Sequence, residues 1–162
     1  MAAGIPLLPF LAPVLSAWLT PHTLAIQAPS AIGTYVLATA GTHQLPIEAA
    51  RIMPYEGPTL HSVHLELMPA GKLQGEIVVS FTDSGTVTDT VLLDGHWKAT
   101  GDTVRLTYRW SRPRWQKGPR TFHFARPVTG IVSQSAFSLP ELAFLDHDFF
   151  GGPTPMHFRR VS

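Results

Sequence analysis

The chain contains no cysteine. That excludes disulfides, thiolate metal sites, a cysteine nucleophile and any lipid attached through sulfur. Charge is scarce as well. Asp, Glu, Lys and Arg make up 14% of the 162 residues, against about a quarter in an average globular protein. Solvent-exposed helices are normally faced with Glu and Lys, so this composition favours turns and strands instead. A formal net charge of +1 offers no broad basic footprint, and no nucleic-acid partner is expected. Catalytic signatures are missing too. Gly-x-Ser-x-Gly does not occur, so Ser80, Ser84 and Ser135 stand outside any nucleophile elbow. The acidic residues are scattered through turns and outward strand positions, and no triad or carboxylate dyad emerges. The expectation is a protein that is not an enzyme and carries no cofactor or metal.

Lys and Arg are absent altogether before Arg51. Within that stretch Ile5 to Leu19 is almost wholly apolar. Residues 1–32 therefore read in two ways. One is a secretory signal with a small-residue cleavage position near Ile26-Gln27-Ala28, which makes the mature protein extracellular or periplasmic. The other is a disordered N-terminal arm of a cytoplasmic protein. Pro6, Pro9 and Pro13 interrupt helical hydrogen bonding, and the run is shorter than the roughly 20 residues of a bilayer span, so no stable membrane span is expected.

What is present is hairpin chemistry. His96 to Trp110 reads HWKATGDTVRLTYRW. A two-residue turn at Gly101-Asp102 pairs Thr100 with Thr103, Ala99 with Val104 and Trp97 with Leu106. Glycine at the first central position suits a type II′ turn, which needs positive φ there. Alternation then puts Trp97, Ala99, Val104, Leu106, Tyr108 and Trp110 on one apolar face and Lys98, Thr103, Arg105, Thr107 and Arg109 on a polar one. A second hairpin turns at Pro69-Ala70-Gly71, with Gly71 in the left-handed region beside a bulge. That register sets Leu67 against Leu73, Leu65 against Gly75, Val63 against Ile77 and His61 against Val79 inside. Glu66 then faces Gln74 and His64 faces Glu76 outside.

Further strands are expected at Gly33 to Ala38, Thr86 to Leu93, Thr121 to Ala125, Ser133 to Leu139 and Met156 to Val161. Asp94-Gly95 either ends its strand or bends it into the next hairpin arm. Eight or nine strands with short, nearest-neighbour links suit an all-β fold, an antiparallel up-and-down barrel over residues 33–162, whose closure removes exposed edges.

The order of these signals is familiar. A Gly-x-Tyr first strand, a turn ending in Leu45-Pro46, a glycine hairpin leading into Gly95-His-Trp-Lys-Ala-Thr-Gly-Asp-Thr-Val-Arg-Leu and a closing Phe158-Arg159-Arg160 strand together resemble the small bacterial lipocalin-like domains. These are calycin-type β-barrels usually found behind export signals. The likeness covers about residues 33–161. In lipocalins the first strand carries Gly-x-Trp, and an arginine of the last strand packs over that ring. Tyr35 stands at the tryptophan's place here, and Arg159 or Arg160 supplies the cation. The resemblance implies a monomeric barrel whose interior holds a small apolar or amphipathic molecule.

Under that reading the ligand is lined by Val63, Ile77, Trp97, Leu106, Tyr108 and Phe124, with Phe144 and Phe149 as a cap. The connection Leu142 to Phe150 carries too many large apolar residues to be left in water. It is a plug at one barrel end, a lid over a ligand, or a docking patch for a partner. An alternative reading is a solid-core interaction module. It uses the basic loop 112–120, with Arg112, Arg114, Trp115, Lys117 and Arg120, against an anionic partner. Two histidine features carry less. His61 and His64 are three apart on a strand, point to opposite faces and cannot share a metal, which leaves His61 as a polar group at the barrel mouth. Asp146-His147-Asp148 reads as turn chemistry.

Overall fold

The computed structural model describes residues 30–49, 57–82, 85–114 and 121–162. The expected export segment, Trp115, Lys117 and Arg120 lie outside the described residues. Eleven strands follow in order: β1 (Gly33–Ala40), β2 (His43–Gln44), β3 (Ile47–Glu48), β4 (Thr59–Met68), β5 (Lys72–Thr82), β6 (Thr86–Thr100), β7 (Thr103–Ser111), β8 (Phe122–Phe124), β9 (Val128–Val132), β10 (Ala136–Leu139) and β11 (Met156–Arg160). All pairings are antiparallel. β4 to β7 pair in sequence, β7 is followed by β9, β10 and β11, and β11 returns to β1. Because β1 also pairs with β4, eight strands close an up-and-down barrel. No helix among the described residues is long and apolar enough to cross a membrane.

Both hairpins adopt the register that alternation requires. Thr100 pairs with Thr103, Ala99 with Val104 and Trp97 with Leu106. Gly101 has φ 64° while Asp102 stays at negative φ, as the turn geometry needs. In the other hairpin Leu67 pairs with Leu73, Leu65 with Gly75 and Val63 with Ile77, across a 3-10 turn in which Ala70 and Gly71 both take positive φ. Asp94-Gly95 does not end its strand. β6 runs through it, and Gly95 marks a bend where a Cβ would sit 2.1 Å from the carbonyl oxygen of Thr107.

Three expectations need correction. His61 does not oppose Val79: a bulge between Leu60 and Ser62 turns Leu60 inward opposite Val79. His61 is left exposed on the outer wall, bonded to Ser80 Oγ at 2.7 Å, rather than at the barrel mouth. Ala99 is exposed, although Val104 directly opposite it is buried. The third correction concerns the wall after β7, where the sequence suggests a single strand at Thr121 to Ala125. Two pieces, β8 and β9, share one edge of β7, and the register slips by a residue between Arg109↔Phe124 and Leu106↔Val128. Pro127, which has no N–H to donate, lies in the break.

The barrel has a continuous core. Tyr35, Phe137 and Phe158 stack across it, with ring centroids 5.4 Å and 6.0 Å apart. Leu60, Leu65, Leu67, Leu73, Ile77 and Leu106 are buried among them. Tyr35 donates its hydroxyl to the Ala31 carbonyl at 2.8 Å. Of the two candidate arginines, Arg160 supplies the cation, with its guanidinium carbon 6.0 Å from the Tyr35 ring centroid. The same guanidinium donates to the carbonyls of Ser30 and Ile32 and so fixes the chain's entry into β1.

Candidate functional site

The residues expected to line the interior are placed as follows. Val63, Ile77, Leu106, Tyr108, Phe144 and Phe149 are all buried in one apolar cluster, and half-buried Trp97 packs against it. Trp97 Nε1 donates to the Met68 carbonyl at 2.9 Å, so the indole is held at the rim opposite the plug. Phe124 is the exception: it is 79% exposed. Its partner across the ladder is Arg109, which lies on the outer face of β7, and directly paired residues share a face. The inward position of β8 goes instead to His123, whose ring stacks on Trp110 at 5.5 Å.

Leu142 to Phe150 forms a plug. A short helix, α1 (Ala143–Leu145), continues into a π-helical turn over Asp146–Phe150, and Leu142, Phe144, Leu145 and Phe149 are buried. Phe144 and Phe149 meet edge to face at 6.1 Å. Asp146 latches the segment. Its carboxylate accepts the N–H of Leu142 at 2.8 Å and that of Thr154 at 2.9 Å, tying the plug's start to the strand that follows it. Burial pushes the Asp146 carboxyl up to about 6; the two N–H donors oppose the shift and the charge of Glu141 adds to it. Tyr108 accepts the Ala143 N–H at 2.9 Å, and burial raises its phenol to about 12, so the contact is made by a neutral hydroxyl.

The described part of the basic loop is already engaged. Arg114 Nε lies 3.3 Å from the buried carboxylate of Asp89, and the Arg114 N–H donates to the same group at 2.7 Å. Arg112 Nε approaches His123 Nε2 at 3.4 Å. Two serine–histidine pairs occur outside the core, Ser80 with His61 and Ser138 with His157 at 3.0 Å. Among the described residues neither histidine is bonded to a carboxylate through its second nitrogen, so neither pair has the orienting group that activates a nucleophile.

A site with an open volume lies on the outer wall. A groove of about 430 Å³ is lined by Thr34, His64, Glu66, Gln74, Glu76, Leu92, Asp94 and Phe122, with Leu65, Gly75 and Leu93 as floor. Four cross-strand pairs in two ladders assemble it. Glu66 pairs with Gln74 and His64 with Glu76; Gln74 pairs in turn with Asp94, and Glu76 with Leu92. Neighbouring strands are about 4.8 Å apart, so these side chains form two parallel rows across the strands. Two glycines mark this part of the wall. At Gly75 a Cβ would lie 2.8 Å from a Leu65 methyl and 3.0 Å from one of Leu93, so the inner side chains close over the bare backbone. Gly95, diagonally across the ladder, lets β6 approach β7.

One end of the groove is set by Arg109. It forms an ion pair with Asp94 at 2.8 Å and lays its guanidinium 4.5 Å from the centre of the Phe122 ring. Leu92 and Phe122 are 44% and 42% exposed, so the groove has an apolar flank beside its carboxylates. Alternation marks these residues only as outward. The available signal was the pairing of Glu66 with Gln74 and His64 with Glu76 next to a strand glycine. No protein-family model, curated protein or solved structure matches the chain.

Proposed function

We propose that this protein is a non-enzymatic binding barrel of lipocalin-like shape whose small amphipathic ligand sits in the outer groove of β4, β5 and β6. The observation that carries this reading is the groove itself: open volume with convergent polar groups and an apolar flank, the usual make-up of a ligand site. The interior supports a scaffold role. Its aromatic and aliphatic side chains occupy the space between the walls, as small barrels commonly do, and the plug seals one end with four buried apolar residues. A ligand inside would have to displace Phe144 and Phe149.

The test separates the two locations. Amide chemical shifts of the ¹⁵N-labelled protein are followed during titration with a library of small amphipathic compounds. Shifts clustered at Glu66, Gln74, Glu76, Leu92 and Phe122 are expected. Shifts clustered at Val63, Ile77, Leu106 and Phe144 would move the site into the barrel, and the absence of any saturable shift would end the proposal.

A further inference from the structure

We infer that the ligand of the outer groove is an organic cation, an ammonium or guanidinium group joined to a compact apolar body. This rests on the groove being the binding site. Three carboxylates line it, those of Glu66, Glu76 and Asp94, against one neighbouring guanidinium, that of Arg109. Asp94 is spoken for by Arg109. Among the described residues neither Glu66 nor Glu76 forms an ion pair, and Lys72, the next outward residue of β5, is paired with neither.

Glu66 and Glu76 are diagonal neighbours across the β4–β5 ladder, flanking Gln74 and His64. Diagonal positions on adjacent strands are about 7–8 Å apart, a spacing at which one nitrogen cation can sit between two carboxylates and bond to both. The Gln74 amide oxygen is a third acceptor beside them. Glu66 and Glu76 line one groove together with Gln74 and Gly75, so the two carboxylates face a shared space, and such clefts focus the field of like charges.

The rest of the ligand is defined by Leu92 and Phe122. Leu92 pairs directly with Glu76, so an apolar surface begins one strand away from the charge. Phe122 closes that side, with one region of its ring already covered by Arg109. A molecule with its cation between Glu66 and Glu76 therefore lays its body along Leu92 toward the phenyl ring, while the Arg109–Asp94 pair closes the end. An anionic head in the same place would meet two uncompensated carboxylates.

Three probes with the same body and different heads test this: phenethylammonium, 2-phenylethanol and 3-phenylpropanoate. Each is titrated into the full-length protein at low ionic strength, with affinity taken from amide shifts at the groove. Phenethylammonium should bind at least tenfold tighter than the alcohol, and the carboxylate should not bind measurably. The double variant Glu66→Gln, Glu76→Gln should remove that tenfold advantage and leave the alcohol's affinity unchanged, whereas Leu92→Ser should weaken both. These positions are on the outer wall, and an unchanged amide spectrum elsewhere confirms that the variants fold. Equal affinity for amine and alcohol, or a double variant that binds the amine as well as before, overturns the cation assignment while the groove remains a site. If no probe shifts any groove amide, the location falls as well.

Discussion

The two faces of the β4–β7 wall are made by the same strands and differ in almost everything else. On the inside, Val63, Leu65, Ile77, Leu93 and Leu106 are between 0% and 3% exposed. On the outside, flanking Val63, Leu65, Ile77 and Leu93 along their strands, stand His64, Glu66, Glu76, Leu92 and Asp94, and a groove opens among them. The inner face is close-packed, so each atom there has partners and little can be added or removed without cost. Outer side chains are solvated and individually dispensable for folding. If the outer groove is the binding site proposed above, stability and recognition fall on opposite sides of one sheet, and substitutions should sort the same way.

The largest effect is expected at Phe137, whose ring lies between those of Tyr35 and Phe158. Phe137→Ala should cost about 3–5 kcal/mol, read as a lower denaturant midpoint at constant slope. A loss under 1 kcal/mol would mean the barrel interior is not the packed scaffold described. Gly95→Ala comes next. Its methyl would sit 2.1 Å from the Thr107 oxygen, so β6 must move away from β7. A cost of about 1–3 kcal/mol is expected from that strain. Because Leu93 and Asp94, just before it on β6, line the groove, the variant should perturb groove amides as well as the melting temperature.

Asp146 sharpens the comparison at the barrel's end. Its carboxyl is held at about 6 in the folded protein against 3.8 ordinarily, so the native state binds the proton more tightly than the unfolded chain. The burden of carrying an ionised, buried carboxylate is absent below about pH 4, grows between pH 4 and 6, and is complete above that. Asp146→Asn keeps one acceptor for two N–H donors and should cost on the order of 1 kcal/mol in acid, where the native group is neutral. The difference between 3.8 and about 6 costs the wild type on the order of 3 kcal/mol by pH 7. Its advantage over the variant should therefore vanish and then reverse as the pH rises from 4 to 7, measured by thermal unfolding across that range. A wild-type advantage that grows with pH would contradict the raised carboxyl. The smallest effect is expected outside: Glu66→Gln and Glu76→Gln should each change stability by less than about 0.5 kcal/mol.

Sequence alone reaches the inner face well and the outer face poorly, for physical reasons. Trp97 to Trp110 shows period-two alternation around a glycine turn, and both the turn and the register follow from it. The Pro69-Ala70-Gly71 loop likewise specifies which residues oppose which, because the rival register would put Glu76 against Leu65. Phe124 went astray because Phe122 and Phe124 share a face, and hydrophobicity sends such a face inward. The stacking of His123 on Trp110 reverses it. β9 is β-branched at four of its five positions, but it is short and lies between Pro127 and Ser133 with Gly130 at its centre, so its ends carry the punctuation of a loop. The bulge at His61 has no local marker, since either register leaves an acceptable alternation. The groove depends on residues from separate strands lining up across the sheet, which periodicity within one strand does not encode.

Arg160, by holding the carbonyls of Ser30 and Ile32, brings the two ends of the described barrel side by side. The Thr34 N–H donates to the Ser162 carbonyl at 2.9 Å, and the Val161 N–H returns a bond of the same length to Thr34. Both lie at the rim remote from the plug, since the plug joins the far ends of β10 and β11. A linker or surface attached just before Ser30 or after Ser162 therefore pulls from one pole, and the barrel stands off it with its plugged pole outermost and its flank free. Joining Ser162 to Ser30 through a few residues and reopening the chain elsewhere should leave every wall intact.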